Sequence, residues 1–176
     1  MEGEFIDPEK IFDNLELKPD MIAADFGCGS GGATIPLAKK LYDGLVYAFD
    51  VQNGPLNALK GRSIAERIDN IKTVRANLEK IKGTRLKDES VDLVVIVNAL
   101  FQAEDKKGMI GEAARILKKG GNIMIVDWKP GSSFKGIAEG RISTDELKKI
   151  AAELGLKDKK EFESGKYHFG LILEKN

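Results

Sequence analysis

The stretch Ala23-Ala24-Asp25-Phe26-Gly27-Cys28-Gly29-Ser30-Gly31 ends an apolar run in three alternating glycines. Such a run reads as a buried strand turning sharply into a helix, and glycine lets the turn press its backbone against a ligand. The next apolar run closes at Tyr47-Ala48-Phe49-Asp50, placing an acid where a ribose diol would find an acceptor. The two features together mark a nucleoside-cofactor site. Gly27, Gly29 and Gly32 also satisfy G-x-G-x-x-G, so the glycines alone leave a dinucleotide open. Serving chain reversal alone is the minor reading of the glycines, and an ordinary strand-end acid that of Asp50.

Outward from this turn, extended and helical patterns alternate. Met21 to Phe26, Leu45 to Val51, Val91 to Val97 and Ile123 to Asp127 are almost continuously apolar, as strands buried on both faces of a parallel sheet are. Ile71 to Val74 is a weaker candidate. Helical spacing occupies Ala33 to Tyr42, Leu56 to Ile68 and Lys106 to Leu117, with Ile110, Ala113, Ala114 and Leu117 forming one apolar stripe. Lys118-Lys119-Gly120-Gly121 is expected to stop that helix. This rotation predicts a doubly wound α/β fold. Ser143-Thr144-Asp145-Glu146 carries a capping box that opens a last helix ending near Leu154. Lys160 to Glu163 and Tyr167 to Glu174, separated by Ser164-Gly165-Lys166, predict a closing antiparallel hairpin. The segment from Trp128 to Arg141 lacks periodicity and is a candidate substrate loop.

Twenty-eight basic residues balance 28 acidic ones among 176, so no overall field favours nucleic acid. A chain of this length suits a single domain over residues 1–176. No apolar stretch approaches the ~20 residues of a membrane span, and the N-terminus lacks a secretory pattern, so a cytoplasmic location is expected. One cysteine and one histidine leave no nitrogen or sulfur cluster for zinc. P-loop, H-E-x-x-H and G-x-S-x-G patterns are absent. A dehydrogenase of this fold would need a further substrate domain, for which no residues remain.

The chain resembles the class I S-adenosylmethionine-dependent methyltransferases, within them the small-molecule group that includes the ubiquinone- and menaquinone-biosynthesis type. The likeness rests on Asp-Phe-Gly-Cys-Gly-Ser-Gly at 25–31, Phe-Asp at 49–50 and Ala-Asn-Leu at 76–78. It continues through Val-Asp-Leu-Val-Val-Ile-Val-Asn at 91–98 and Leu-Lys-Lys-Gly-Gly-Asn-Ile-Met-Ile-Val-Asp at 117–127. It implies a Rossmann-like, mostly parallel seven-stranded sheet with a C-terminal antiparallel hairpin, and S-adenosylmethionine as cofactor with S-adenosylhomocysteine as product. Asp25 and the backbone from Gly27 through Cys28 and Gly29 to Gly31 would then hold the amino-acid part of the cofactor. Asp50 would take both ribose hydroxyls, Val51 would pack on adenine, Asn77 and the Leu78 backbone would read its edge, and Asn98 would face the methionine portion. Asn77 could instead merely cap a turn. Cys28 reads as a small packing residue without a nucleophilic role.

Methyl transfer from a sulfonium depends mainly on alignment and exclusion of water, so the sequence names no catalytic base. Where the family often has Asn-x-Leu-His-His, this chain has Asn98-Ala99-Leu100-Phe101-Gln102, without either histidine. A lone cysteine excludes the arsenite-methylating relatives. The acceptor pocket is expected between Phe5 and Phe12, the region after Asn98, and Trp128 to Phe134, which suits an apolar small molecule. Those aromatics could instead cap the core. His168 is expected to turn away from Tyr167 and Phe169 and to be structural. Lysines near Lys118, Lys148 and Lys157 to Lys160 read as solvated helix faces. The acceptor is expected to be a small molecule, with RNA or protein as the alternative, a nicotinamide nucleotide protein behind it, and no membrane partner.

Overall fold

The computed structural model describes residues 6–131 and 139–176. Phe5 and Phe134, assigned to the acceptor pocket above, lie outside the described residues. The strands are β1 (Ile22–Phe26), β2 (Leu45–Asp50), β3 (Ile71–Arg75), β4 (Val91–Val97), β5 (Leu117–Trp128), β6 (Leu156–Ser164) and β7 (His168–Lys175). Between them run α1 (Thr34–Lys40), α2 (Asn53–Ala65), α3 (Lys106–Ile116) and α4 (Thr144–Glu153). One seven-stranded sheet has the order β3-β2-β1-β4-β5-β7-β6. The first five strands are parallel, and β7 inserts antiparallel to both β5 and β6.

Alternation along the strands sorts the core into two layers. Ala24, Phe26, Val94, Ile96, Ile123, Ile125, Leu171 and Leu173 bury one face against α3 and α4. Ala23, Val46, Leu93, Val95, Met124, Val126 and Ile172 bury the other against α1, Ile11 and Phe12. Phe12 is 1% exposed inside that second layer, so the expectation that it lines an acceptor pocket is corrected: it packs the core.

Two sequence expectations shift at element boundaries. The third helix stops at Ile116, before the Lys-Lys-Gly-Gly stretch, because Leu117 is already extended and opposite Val91. Lys118 to Gly121 therefore open β5. Gly121 has no room for a side chain there, since a Cβ would meet Leu117 Cδ1 at 2.7 Å and the Asp92 carbonyl at 2.8 Å. The lysines also move. Lys118 lies on β5 and pairs with Asp92 at 2.7 Å, while Lys157 to Lys160 lie on β6; only Lys148 sits on a helix. Beta-6 is the sheet edge, and its row of exposed charges discourages pairing with another chain. The capping box of Ser143 and Glu146 forms at the start of α4 as the sequence indicates.

Candidate active site

Parallel strand order reverses between β1 and β4, and open α/β sheets form their ligand crevice at the carboxyl ends of strands that flank such a reversal. The glycine turn follows β1 and Asn98 follows β4, so both reach the same cleft of about 710 Å³. Asp25, Gly27, Cys28, Gly29, Asp50, Val51, Asn77, Leu78 and Asn98 all line it. Gly31, also predicted for the site, does not. Its φ of +92° needs glycine, and a Cβ there would overlap Leu59 of α2, so Gly31 closes the turn onto a helix.

The turn is tied down from behind. Gly27 and Cys28 both donate to the Phe49 carbonyl at 2.9 Å, and Gly29 donates to Asp50 Oδ2 at 3.1 Å. Asp50 Oδ1 accepts the Gln52 amide at 2.8 Å. Each carboxylate oxygen thus holds one backbone amide and keeps acceptor capacity for a diol. Gly27, at φ +76°, passes so close to Ala99 that a Cβ would sit 2.5 Å from its Cβ. Gly29, at φ +52°, has nothing within 4 Å of a Cβ, which makes it the point where backbone faces the cleft openly. The Cys28 thiol donates to the Gly29 carbonyl at 3.6 Å and packs with Ile35, Ala48, Leu56 and Leu59, and burial together with the carboxylates of Asp25 and Asp50 pushes its pKa up, so it stays protonated and un-nucleophilic.

Asp25 is 1% exposed and accepts the Thr34 hydroxyl at 2.6 Å. Burial raises its pKa to about 7, against the pull of Thr34 and with the Asp50 charge adding to the rise. Asp127, at the end of β5, is raised to about 6 by burial while it accepts the Trp128 and Phe101 amides, which holds the turn after Asn98. Asn77 Oδ1 accepts the Glu79 amide at 3.0 Å, so part of its side chain serves the turn, as the plainer reading held. Val51 is 57% exposed, an isolated apolar side chain at the cleft rim.

Sequence reasoning placed Trp128 at the acceptor side of the cleft but missed His168. Trp128 and His168 face each other across the β5–β7 pairing, with ring centroids 4.0 Å apart, and both line the cleft. Alternation does turn His168 away from Phe169, but cross-strand pairing, which no local pattern contains, brings it to Trp128. His168 is 1% exposed, and neither ring nitrogen has a hydrogen-bond partner among the described residues; Asn98 Oδ1 is likewise buried and unpartnered. Asn98 also sits at φ +52°, an uncommon conformation that clusters at functional sites. Burial, then the charges of Lys129 and Arg141, lower the His168 pKa to about 4.

This lowering carries a test. The chain's only histidine gives one set of imidazole NMR signals, which should titrate near pH 4 and stay neutral at pH 7. The folded pKa lies below the unfolded value of about 6.5, so His168 makes the protein lose stability as pH falls from about 6.5 to about 4. Asp25 and Asp127 act oppositely over the same range, since their raised values favour folding at the acidic end. A melting curve therefore mixes the groups, whereas the NMR midpoint isolates one; a midpoint above 6 would remove the case for a neutral, buried ring.

Known proteins supply the frame for this geometry. A family profile described as a methyltransferase domain matches residues 24–125, which runs from β1 into β5 and takes in the glycine turn, Asp50 and Asn98. The chain belongs to the methyltransferase domain family. A crystal structure of an S-adenosylmethionine-dependent methyltransferase from Aquifex aeolicus is 28% identical, covers 96% of this chain and 89% of that one, and superimposes with a TM-score of 0.86. The ubiquinone/menaquinone biosynthesis C-methyltransferase of Campylobacter jejuni is 24% identical over 65% of this chain and 48% of its own length. A tRNA (guanine-N(7)-)-methyltransferase of Botryotinia fuckeliana is 25% identical over 77% of this chain and 58% of its own. The methyltransferase chain thus spans about half the length of these curated relatives. Its fold is the class I, Rossmann-like one, ending in the β5–β7–β6 arrangement of antiparallel neighbours.

Proposed function

We propose that this methyltransferase, folded as one domain over residues 1–176, moves a methyl group from S-adenosylmethionine to a small-molecule acceptor in the cytoplasm. The observation that carries the reading is the single cleft running from the Asp50-anchored glycine turn to Asn98, Trp128 and His168. Its donor set fits the cofactor: Gly29 leaves backbone open to the cleft, the Asp50 oxygens keep acceptor capacity for a ribose diol, and exposed Val51 offers an apolar face for adenine. Asn77 and the Leu78 backbone would meet the adenine edge. Asp25 would sit by the amino-acid portion, and Asn98 would face the methyl end. Bound there, S-adenosylmethionine supplies a methyl group activated on a sulfonium. The chain's part is to align an acceptor from the Trp128 side and to exclude water, which the apolar Ala103, Met109 and Trp128 support.

Small acceptors are favoured over nucleic acid by charge. Among the described residues lining the cleft are Asp25, Asp50 and Glu79 but no lysine or arginine, and a phosphate backbone would require cations there. No helix among the described residues is long and apolar enough to cross a membrane. The test begins with calorimetric titration of S-adenosylmethionine, S-adenosylhomocysteine and NAD, followed by transfer of labelled methyl to phenols, quinols, amines and bulk tRNA. Binding of the first two and label on a small molecule are expected. Binding of NAD alone would overturn the cofactor, and label on tRNA the acceptor class.

Asp25 adds a sharper readout. With its pKa at about 7, a cationic ligand beside it should ionise the carboxyl and release about half a proton at pH 7. Titrations in phosphate and in Tris buffers should then give different heats for S-adenosylmethionine. Equal heats in the two buffers, or a difference that persists in Asp25→Asn, would show that the ligand's charge lies elsewhere.

A further inference from the structure

At the far wall of the cleft, three polar atoms are buried without a partner among the described residues: His168 Nδ1, His168 Nε2 and Asn98 Oδ1. Both residues line the same cleft, on either side of β5. The Asn98 backbone N–H donates to the Val126 carbonyl of β5 at 2.9 Å, Trp128 follows two residues on, and His168 is paired directly opposite Trp128. Buried polar atoms are normally satisfied, and groups left open inside a cleft are satisfied by what enters it.

We propose that His168 and Asn98 hydrogen-bond the methyl acceptor, and that the acceptor is a neutral aromatic bearing a hydroxyl, lying against Trp128. This deepens the methyl-transfer reading and rests on it. Two of the three open atoms are acceptors, since a neutral imidazole has one donor nitrogen and one acceptor nitrogen, so the ligand must bring an O–H or N–H donor. The indole ring and the apolar side chains of Ala103 and Met109 favour a flat, apolar body behind that donor. A carboxylate or phosphate is disfavoured because no lysine or arginine lines the cleft among the described residues. Lys129 and Arg141 are the cations whose charge His168 feels; Lys129 is paired with Glu163, and Arg141 donates to the Lys129 carbonyl. The low His168 pKa agrees, because an imidazolium could not accept the hydroxyl proton in a hydrogen bond.

The test uses 2-naphthol and 2-methylnaphthalene, which replaces the hydroxyl by a methyl, added to protein saturated with S-adenosylhomocysteine. The single imidazole and single indole NMR signals report occupancy without turnover. Unmodified protein should bind 2-naphthol about tenfold more tightly than its isostere, with both signals shifting, because the site's buried polar atoms stay unpaired with the methyl compound. In His168→Phe the preference should fall to less than about threefold, and His168→Gln, which keeps a donor and an acceptor, should restore part of it. Retained S-adenosylhomocysteine binding shows that each variant is folded. No 2-naphthol binding, no preference in the unmodified protein, or an undiminished preference in His168→Phe overturns the acceptor subsite. Failure of S-adenosylhomocysteine to bind the unmodified protein instead overturns the methyl-transfer reading beneath it.

Discussion

Asp50→Ala should weaken S-adenosylmethionine and S-adenosylhomocysteine binding by on the order of a hundredfold or more, because two charge-assisted hydrogen bonds to a diol are each worth roughly 1.5–3 kcal/mol. The side chain holds the Gly29 and Gln52 amides as well, so its loss also frees the glycine turn at its cleft-facing point. The two contributions separate with a ligand lacking one ribose hydroxyl. If Asp50 reads the ribose, the 2′-deoxy analogue of S-adenosylhomocysteine binds the unmodified protein far more weakly than the parent, and Asp50→Ala erases the difference. Were the difference to persist in the variant, Asp50 would be a brace for the turn and nothing more. Asp50→Asn should fall between, since its amide keeps one acceptor oxygen and sets an NH2 group against a backbone donor.

Glu112→Leu should destabilise the fold strongly. Glu112 is fully buried on α3 and accepts the Lys82 amide at 2.7 Å, the Thr84 amide at 3.1 Å, the Thr84 hydroxyl at 2.6 Å and two Arg115 nitrogens at 2.8 Å. Burial alone would raise its pKa, but Arg115, Thr84 and the Lys82 amide outweigh burial and hold the carboxyl below its usual value. The folded value lies under the unfolded one, so this stabilisation is present above the unfolded pKa and disappears as pH falls through the folded one. Removing the carboxylate leaves the Lys82 and Thr84 amides without their acceptor, at roughly 1–3 kcal/mol for each buried donor left unpaired, while the part-buried Arg115 keeps Asp88 and the Leu86 carbonyl. At this chain length each kcal/mol lowers the melting temperature by roughly 2–4 °C. Replacing both charges, in Glu112→Leu with Arg115→Leu, should recover part of the loss, because an apolar pair leaves fewer groups unpaired. A single variant that melts within about 2 °C of the unmodified protein would refute the assignment. The consequence reaches the site, since residues 82–84 close the loop that presents Asn77 and Leu78 to the cleft.

How much of this was visible in the chain depends on the range of the interaction. Strands buried on both faces are written as apolar runs, so β1, β2, β4 and the inner part of β5 could be read from residues 21–127 directly. The capping box at Ser143 is a four-residue event and was equally plain. The end of α3 was misplaced because Lys-Lys-Gly-Gly is a good local stop signal, while the pairing of Leu117 with Val91 lies 26 residues away. Glu112 was hidden for the same reason: one acid beside an apolar stripe looks solvated until residues 82–84 fold over it. Only its three-residue spacing from Arg115 hinted at a partner.

By itself the sequence determined the class of fold, the glycine turn and the acid at the end of β2, because periodicity, glycine stereochemistry and strand-end placement are local properties of a few neighbouring residues. The tertiary structure decided the rest. It set Gly31 against Leu59 of α2, moved Phe12 from the pocket to the core, and carried His168 from the last strand to the cleft wall beside Trp128. Each outcome depends on which strands and helices become neighbours across the sheet, and on how much water those neighbours exclude. Both are set by packing over long stretches of chain, which no local pattern records.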